Sequence, residues 1–224
     1  SNPTGSVYTR DELKAFADVF AKYPNIIVIS DEIYEHIVYG RKHESIAQFP
    51  EIKDRVVVVN GVSKAFAMTG YRIGYIAAPL WLAKACNKLQ GQYTSGPCSV
   101  SQIASVAALN APLDTVYAMV EQFNKRRDLV LSKLAEIPGV KVSKPDGAFY
   151  VFPDISSFFG KSDGTITINN ADDMGLFILS NAYTGVVSGE AFGAPECIRI
   201  SYAASEADLT KSLDRIKAAL ATLK

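Results

Sequence analysis

Short apolar, β-branched runs alternate with amphipathic stretches through the first half of the chain. Asn25 to Ser30 reads NIIVIS, Arg55 to Asn60 reads RVVVVN, and Tyr71 to Ala78 is a third run with Gly74 inside it. Continuous runs of this length predict strands buried on both faces. Thr9-Arg-Asp-Glu12 places a hydroxyl three residues before a carboxylate, the pattern of a capping box, and predicts a helix from Arg10 to Lys22. Buried strands between helical stretches predict an α/β layer with a largely parallel sheet.

After Pro79 the pattern changes. Leu80 to Gly91, Ser99 to Asn110 and Leu113 to Glu136 read as helices, and Pro138-Gly139 stops the last. Short strands are expected at Val140–Ser143, Ala148–Phe152, Gly185–Ser188 and Cys197–Tyr202. Helices at Asn170–Tyr183 and Glu206–Leu223 would cover them. This half reads as a compact α+β unit, with the long helix as the boundary. The expected division is residues 1–110 and residues 111–224.

Composition changes this picture little. The 224 residues are 48% hydrophobic and 21% charged, with 23 basic and 23 acidic side chains. A net charge of zero gives no electrostatic reason for nucleic acid or an acidic membrane surface as partner. Cys86, Cys98 and Cys197 are odd in number and lack metal-ligand spacing, so no metal is expected and a reducing, cytoplasmic setting fits best. No apolar run is long enough to span a bilayer. The chain opens Ser-Asn-Pro-Thr-Gly without an initiator methionine, so either a leader has been removed or the chain belongs to a longer protein.

The candidate chemistry follows from the strands. Ligands of α/β sheets bind beyond the C-terminal ends of strands. Asp31 stands directly after NIIVIS, with Tyr34 three residues on. Asn60-Gly-Val-Ser-Lys64 follows RVVVV, and Arg72 lies eight residues beyond Lys64. A carboxylate, a phenol, a hydroxyl, an amine and a guanidinium are therefore expected along one rim. A lone lysine is most often a surface residue at a helix start. In confinement its amine can instead attack a carbonyl. This set suits a phosphorylated, aldehyde-bearing heteroaromatic, pyridoxal phosphate. The amine condenses with the aldehyde, the carboxylate pairs with the ring nitrogen, the phenol donates to a ring oxygen, and serine and arginine hold the phosphate.

SKAFAMTGYRIGY, Ser63 to Tyr75, resembles the lysine segment of class I aminotransferases of fold type I, closest to the bacterial aspartate aminotransferase branch. Asn2-Pro-Thr-Gly5 and Asp31-Glu-Ile-Tyr34 are similar to two further blocks of that family. Gly189-Glu-Ala-Phe-Gly193 with Cys197-Ile-Arg-Ile-Ser-Tyr202 is similar to its substrate-arginine segment. Four blocks in order cover almost the whole chain. The resemblance implies part of the large cofactor domain, with a mostly parallel sheet, followed by a smaller α+β domain. It implies that Asn2 and Tyr34 bond the ring hydroxyl and that Asp31 pairs with the ring nitrogen. Lys64 joins the cofactor covalently and moves the substrate proton, Ser63 and Arg72 bind the phosphate, and Arg199 clamps the substrate α-carboxylate. It also implies a homodimer acting on an amino acid, aspartate first, and a 2-oxo acid, 2-oxoglutarate.

Singly, each block has a plainer reading. Asn-Pro-Thr-Gly is an ordinary turn, Asp31 can cap a helix, Tyr34 can be a core aromatic, and Arg199 can face water from an edge strand. His36 and His43 carry no partner pattern and read as surface or structural. The family's glycine-containing phosphate loop, its stacking aromatic and the tyrosine given to a neighbouring subunit are not found in this sequence. Ser188 stands where a proline usually precedes GEAFG. The chain is accordingly expected to be an incomplete, inactive fragment. A carbon–sulfur lyase or an aromatic aminotransferase of the same fold stays open. So does the aminotransferase-like effector domain of a transcription regulator, against which Met68-Thr69-Gly70 argues.

Overall fold

The computed structural model describes residues 1–224. It forms two compact units, one of Tyr8–Ala118 and one of Met119–Lys224 together with Ser1–Val7. This grouping departs from the expected one in two ways. The division falls inside the long helix rather than after residue 110. The first seven residues go with the C-terminal unit because the Gly5 carbonyl accepts from the N–H groups of Asp146 and Gly147, at 3.0 and 2.9 Å.

In the unit Tyr8–Ala118, helix α1 spans Arg10–Ala21. The capping box forms as the sequence predicts. Glu12 N–H donates to Thr9 Oγ1 at 3.3 Å, and Thr9 N–H donates to Glu12 Oε2 at 2.7 Å. The far end of α1 is closed from outside. The Arg55 guanidinium donates to the carbonyls of Phe20, Tyr23 and Ile26 at 2.8–2.9 Å. Phe20 lies in the last turn of α1 and Tyr23 and Ile26 follow it, and one planar fork serves all three carbonyls at once. Arg55→Ala is expected to lower stability by about 2 kcal/mol, with Arg55→Lys recovering part of it. Denaturant unfolding checks this, and an unchanged midpoint for Arg55→Ala would refute it.

Strands β1 (Val28–Asp31), β2 (Val56–Gly61) and β3 (Gly74–Ala77) form one sheet in the order β1-β2-β3. β1 and β2 are parallel, with Val28 opposite Val56 and Asp31 opposite Val59. β3 returns antiparallel, with Gly61 opposite Gly74. A parallel return needs a long crossover, usually helical. The chain from Val62 to Ile73 holds only turns and the short 3₁₀ helix Thr69–Tyr71. The sheet in this chain is therefore mixed. Burial also departs from the expected double-faced pattern. β2 lies in the centre and is largely buried, whereas Ile29 on β1 is 71% exposed and β3 is exposed along its length. Leu13 and Ala17 of α1 pack with Ile46, Phe49, Ile52 and Val56 to form the core. Helices α2 (Leu80–Tyr93) and α3 (Ser99–Asn110) expose large apolar side chains, among them Trp81, Tyr93 and Ile103.

The long helix α4 spans Asp114–Ala135. In the second unit, β4 (Tyr150–Val151), β5 (Val187–Ser188) and β6 (Ile198–Ser201) form an antiparallel sheet in the order β4-β6-β5. The expected strand Val140–Ser143 is reduced to one bridge, Lys141 to Asp154. Gly139, just before it, adopts φ +92°. Helices α5 (Ala171–Ala182) and α6 (Glu206–Leu220) bury Phe177, Ile178, Leu213 and Ile216. Lys133–Asp214 and Lys217–Glu136 pairs, at 2.8 and 2.7 Å, link α6 to α4 and the residue after it. No single helix is long and apolar enough to cross a membrane.

Candidate active site

The ends of β1 and β2 carry most of the expected residues. Asp31 closes β1 with an exposed side chain whose Oδ1 accepts from the Ile33 N–H at 3.1 Å. The chain then turns, with Glu35 N–H donating to Glu32 O at 2.9 Å and Ile37 N–H to Tyr34 O at 2.8 Å. Tyr34 is half-buried. After β2 the backbone bends at Val62 and turns through Ser63–Phe66, so Lys64 sits in a turn and not at a helix start.

Ala67 and Arg72 bracket the following stretch in left-handed backbone, at φ +53° and +57°. That conformation costs a side-chain-bearing residue about 1–2 kcal/mol. Arg72 is held by donation from Nη1 to Thr69 O at 2.9 Å. An open cleft of about 400 Å³ results, lined by Ile33, Ser63, Lys64, Thr69, Arg72, Ile73 and Gly74. An amine, two hydroxyls and a guanidinium thus share one cleft. Three of the expected residues, Ser63, Lys64 and Arg72, are brought together there. The side chains of Asp31 and Tyr34 do not line it, though Ile33 between them does.

Asn2 and Arg199 lie in the other unit and meet each other. Arg199 projects from β6 and its Nη1 donates to Asn2 Oδ1 at 2.7 Å. The guanidinium lies over the rings of Tyr150 and Phe192, 4.6 and 5.2 Å from their centroids. Phe192 comes from the GEAFG block, a 3₁₀ helix over Gly189–Phe192. Gly189 is required there, since a Cβ would stand 2.0 Å from the Ala194 carbonyl. Ser188 replaces the usual proline and caps this helix, its Oγ accepting from the Glu190 N–H at 3.2 Å. The Asn2 side is set by Gly5, at φ +71°, where a Cβ would lie 2.3 Å from that of Pro145. A planar cation is thus packed against two aromatic rings and bonded to Asn2.

Two features at the ends of β1 and β2 were not legible beforehand. Glu32, only 6% exposed, accepts from Ser45 Oγ at 2.6 Å and Ser30 Oγ at 3.0 Å, and its Oε2 lies 2.9 Å from His43 Nε2. Burial pushes its carboxyl up, but the hydrogen bonds from His43, Ser45 and Ser30 outweigh this and hold it below the usual range. His43 is therefore a structural partner. Strand alternation could have found half of this contact. With Asp31 facing out at the strand end, Glu32 must face in, and a buried carboxylate requires donors. The second feature is Asn60, whose Nδ2 donates to Glu35 Oε1 at 2.7 Å. Burial first, and the Glu35 charge second, push the neighbouring Tyr75 phenol up.

A family model described as aminotransferase class I and II matches residues 1–216. The bifunctional aspartate aminotransferase and glutamate/aspartate-prephenate aminotransferase of Petunia hybrida is 51% identical over 229 residues, covering 100% of this chain and 48% of that protein. The aspartate aminotransferase of Rhizobium meliloti is 44% identical over 222 residues, covering 98% and 54%. The crystal structure of the aspartate aminotransferase from Rhizobium meliloti superposes with a TM-score of 0.96 at 43% identity, covering 100% and 57%. The aromatic aminotransferase from Pyrococcus horikoshii OT3 gives 0.88 at 37% identity, covering 98% and 57%. The chain spans about half the length of the curated relatives it matches. Its fold neighbours are aminotransferases of mixed α/β content. With a matching family model over nearly its whole length and the amine, hydroxyls and guanidinium gathered at one cleft, this chain belongs to the class I and II aminotransferase family.

Proposed function

We propose that the protein carrying this chain transfers an amino group from an amino acid, aspartate first, to a 2-oxo acid, 2-oxoglutarate, with pyridoxal phosphate. The observation that carries this is the cleft lined by Ser63, Lys64, Thr69 and Arg72. Its donor set fits the cofactor, a family-wide companion: a guanidinium and hydroxyls for a phosphate, and an amine for an aldehyde. Ser63 and Arg72 would hold the phosphate, and Lys64 the aldehyde carbon. Asp31 would face the ring nitrogen, and Asn2 and Tyr34 the ring hydroxyl. When bound, the cofactor supplies an electron sink for the substrate α-carbon. Lys64 then carries the proton taken from that carbon, and Arg199 orients the substrate carboxylate. Exposed apolar residues on α2 and α3 favour burial against further protein, and we place the whole enzyme as a homodimer in the cytoplasm. The test is transfer from aspartate to 2-oxoglutarate by the native protein with added cofactor. Absence of both turnover and cofactor binding would overturn the proposal. The relatives named for prephenate favour a second acceptor, checked by adding prephenate to the same assay.

Arg199→Lys keeps a charge but loses the planar fork that Asn2, Tyr150 and Phe192 hold in place. We expect kcat/KM to fall by about 10²-fold for every amino acid tested. A fall confined to acidic substrates would assign Arg199 to the substrate side chain instead.

A further inference from the structure

Asn60 ends the regular part of β2 and is 8% exposed, yet nothing in the proposed reaction uses it. Its side chain divides between two loops. Nδ2 donates to Glu35 Oε1 at 2.7 Å, and Oδ1 accepts from the Gly61 N–H at 2.7 Å. Glu35 lies in the turn that follows Asp31 and contains Tyr34. Gly61 opens the segment that runs to Ser63 and Lys64.

Both ends of this bridge are fixed. Asn60 stands in register with Tyr75 on β3. Gly61 is confined, since a Cβ there would meet the Ile73 carbonyl at 2.7 Å. On the other side, Glu32 ties the Asp31 turn to Ser30, His43 and Ser45. Polar atoms of Glu32, Glu35 and His43 all lie within 4.8 Å of one another, so the two ties meet in one cluster. A bond from an amide to a carboxylate is stronger than a neutral one, and removing the amide leaves a buried N–H and a carboxylate oxygen without it.

We propose that Asn60 is a positioning residue which, through Glu35, sets the spacing between the Asp31–Tyr34 turn and the Ser63–Lys64 turn, and so the fit of pyridoxal phosphate between them. This inference rests on the proposed function. A purely structural Asn60 would change stability and leave cofactor binding alone.

The experiment uses the native protein with Asn60→Ala, Glu35→Ala, the double variant and Glu35→Gln. Borohydride fixation of the cofactor on the unaltered protein comes first. If Lys64 takes no label, the proposed function fails and the inference falls with it. If Lys64 is labelled, the variants decide the inference alone. We expect Asn60→Ala and Glu35→Ala each to weaken cofactor binding about tenfold. Both should shift the pH at which the visible band of bound cofactor titrates, in the same direction. The double variant should be no weaker than Asn60→Ala, which already removes the bond to Glu35 together with that from the Gly61 N–H. Glu35→Gln keeps an acceptor for Asn60 and should stay within about twofold of the native affinity. A folded Asn60→Ala protein with native affinity and titration overturns the proposal. So do losses that multiply to about 100-fold in the double variant. If Asn60→Ala does not fold, the Glu35 pair decides, and equal affinities for Glu35→Ala and Glu35→Gln overturn the proposal.

Discussion

Lys64→Ala is expected to lower kcat by about 10⁴-fold or more, because on the proposed function it would remove both the covalent attachment and the proton carrier. Lys64 is the lysine of the cleft, flanked by Ser63 and facing the same space as Arg72. Other lysines of the same unit are poorly placed. Lys84 and Lys88 lie exposed on α2. Lys64→Arg keeps a positive charge of similar reach but cannot condense with an aldehyde, so its activity should fall as far as that of Lys64→Ala. Both variants should still bind pyridoxal phosphate, since Ser63 and Arg72 remain. Neither should retain it after borohydride treatment and denaturation. Mass analysis of peptides from the native protein should find the label on Lys64. A label on Lys84 or Lys88 would refute the assignment, and so would a Lys64→Arg enzyme with substantial turnover.

The local grammar of the chain was legible in the sequence. Thr9 and Glu12 mark the start of α1, and α3 has the bounds its composition predicts, Ser99–Asn110. Such elements depend on neighbours three or four residues away, which a single sequence displays. Strand pairing does not. Nothing in the run around Gly74 says that it returns antiparallel; that follows from the lack of a crossover helix between Val62 and Ile73. The apolar runs also promised more burial than the chain provides. The exposed Ile29 and the exposed face of β3 are strand residues without a covering layer here.

The candidate site shows the same division. Ser63, Lys64 and Arg72 stand close in sequence on one strand exit, and the cleft that gathers them follows from that proximity. The contact of Asn2 with Arg199 joins residues at opposite ends of the chain, and it needs the whole second unit in place. His43 reads as surface or structural in the sequence, and its partner Glu32 and the role of Asn60 were not legible for a different reason. A hydrogen bond between Asn60 and Glu35 crosses from one strand end to the next turn, and no periodicity records it. Buried polar residues are found by asking which donors a carboxylate needs, and that question arises only once its burial is known.

Asp31→Asn should lower the rate of the first half-reaction by about 10³-fold, equivalent to about 4 kcal/mol of barrier. The substitution is informative because the turn should survive it. Asp31 Oδ1 accepts from the Ile33 N–H, and an asparagine oxygen can accept the same bond. The tie from Glu32 to His43 and Ser45 is also untouched. What disappears is a full negative charge at the end of β1. If Asp31 pairs with a protonated ring nitrogen, as proposed, an amide in its place would not neutralise that nitrogen, and the ring would lose its charge partner without losing its other holds. Cofactor affinity should therefore fall far less than the rate does. Asp31→Glu restores the charge but moves it by one methylene, and it should recover part of the rate. Single-turnover kinetics with aspartate, alongside a cofactor titration and a denaturant melt, separate these effects. Near-normal turnover in Asp31→Asn would remove Asp31 from the proposed role. Equal losses in affinity and rate would show that Asp31 holds the cofactor in place and does not act on its charge.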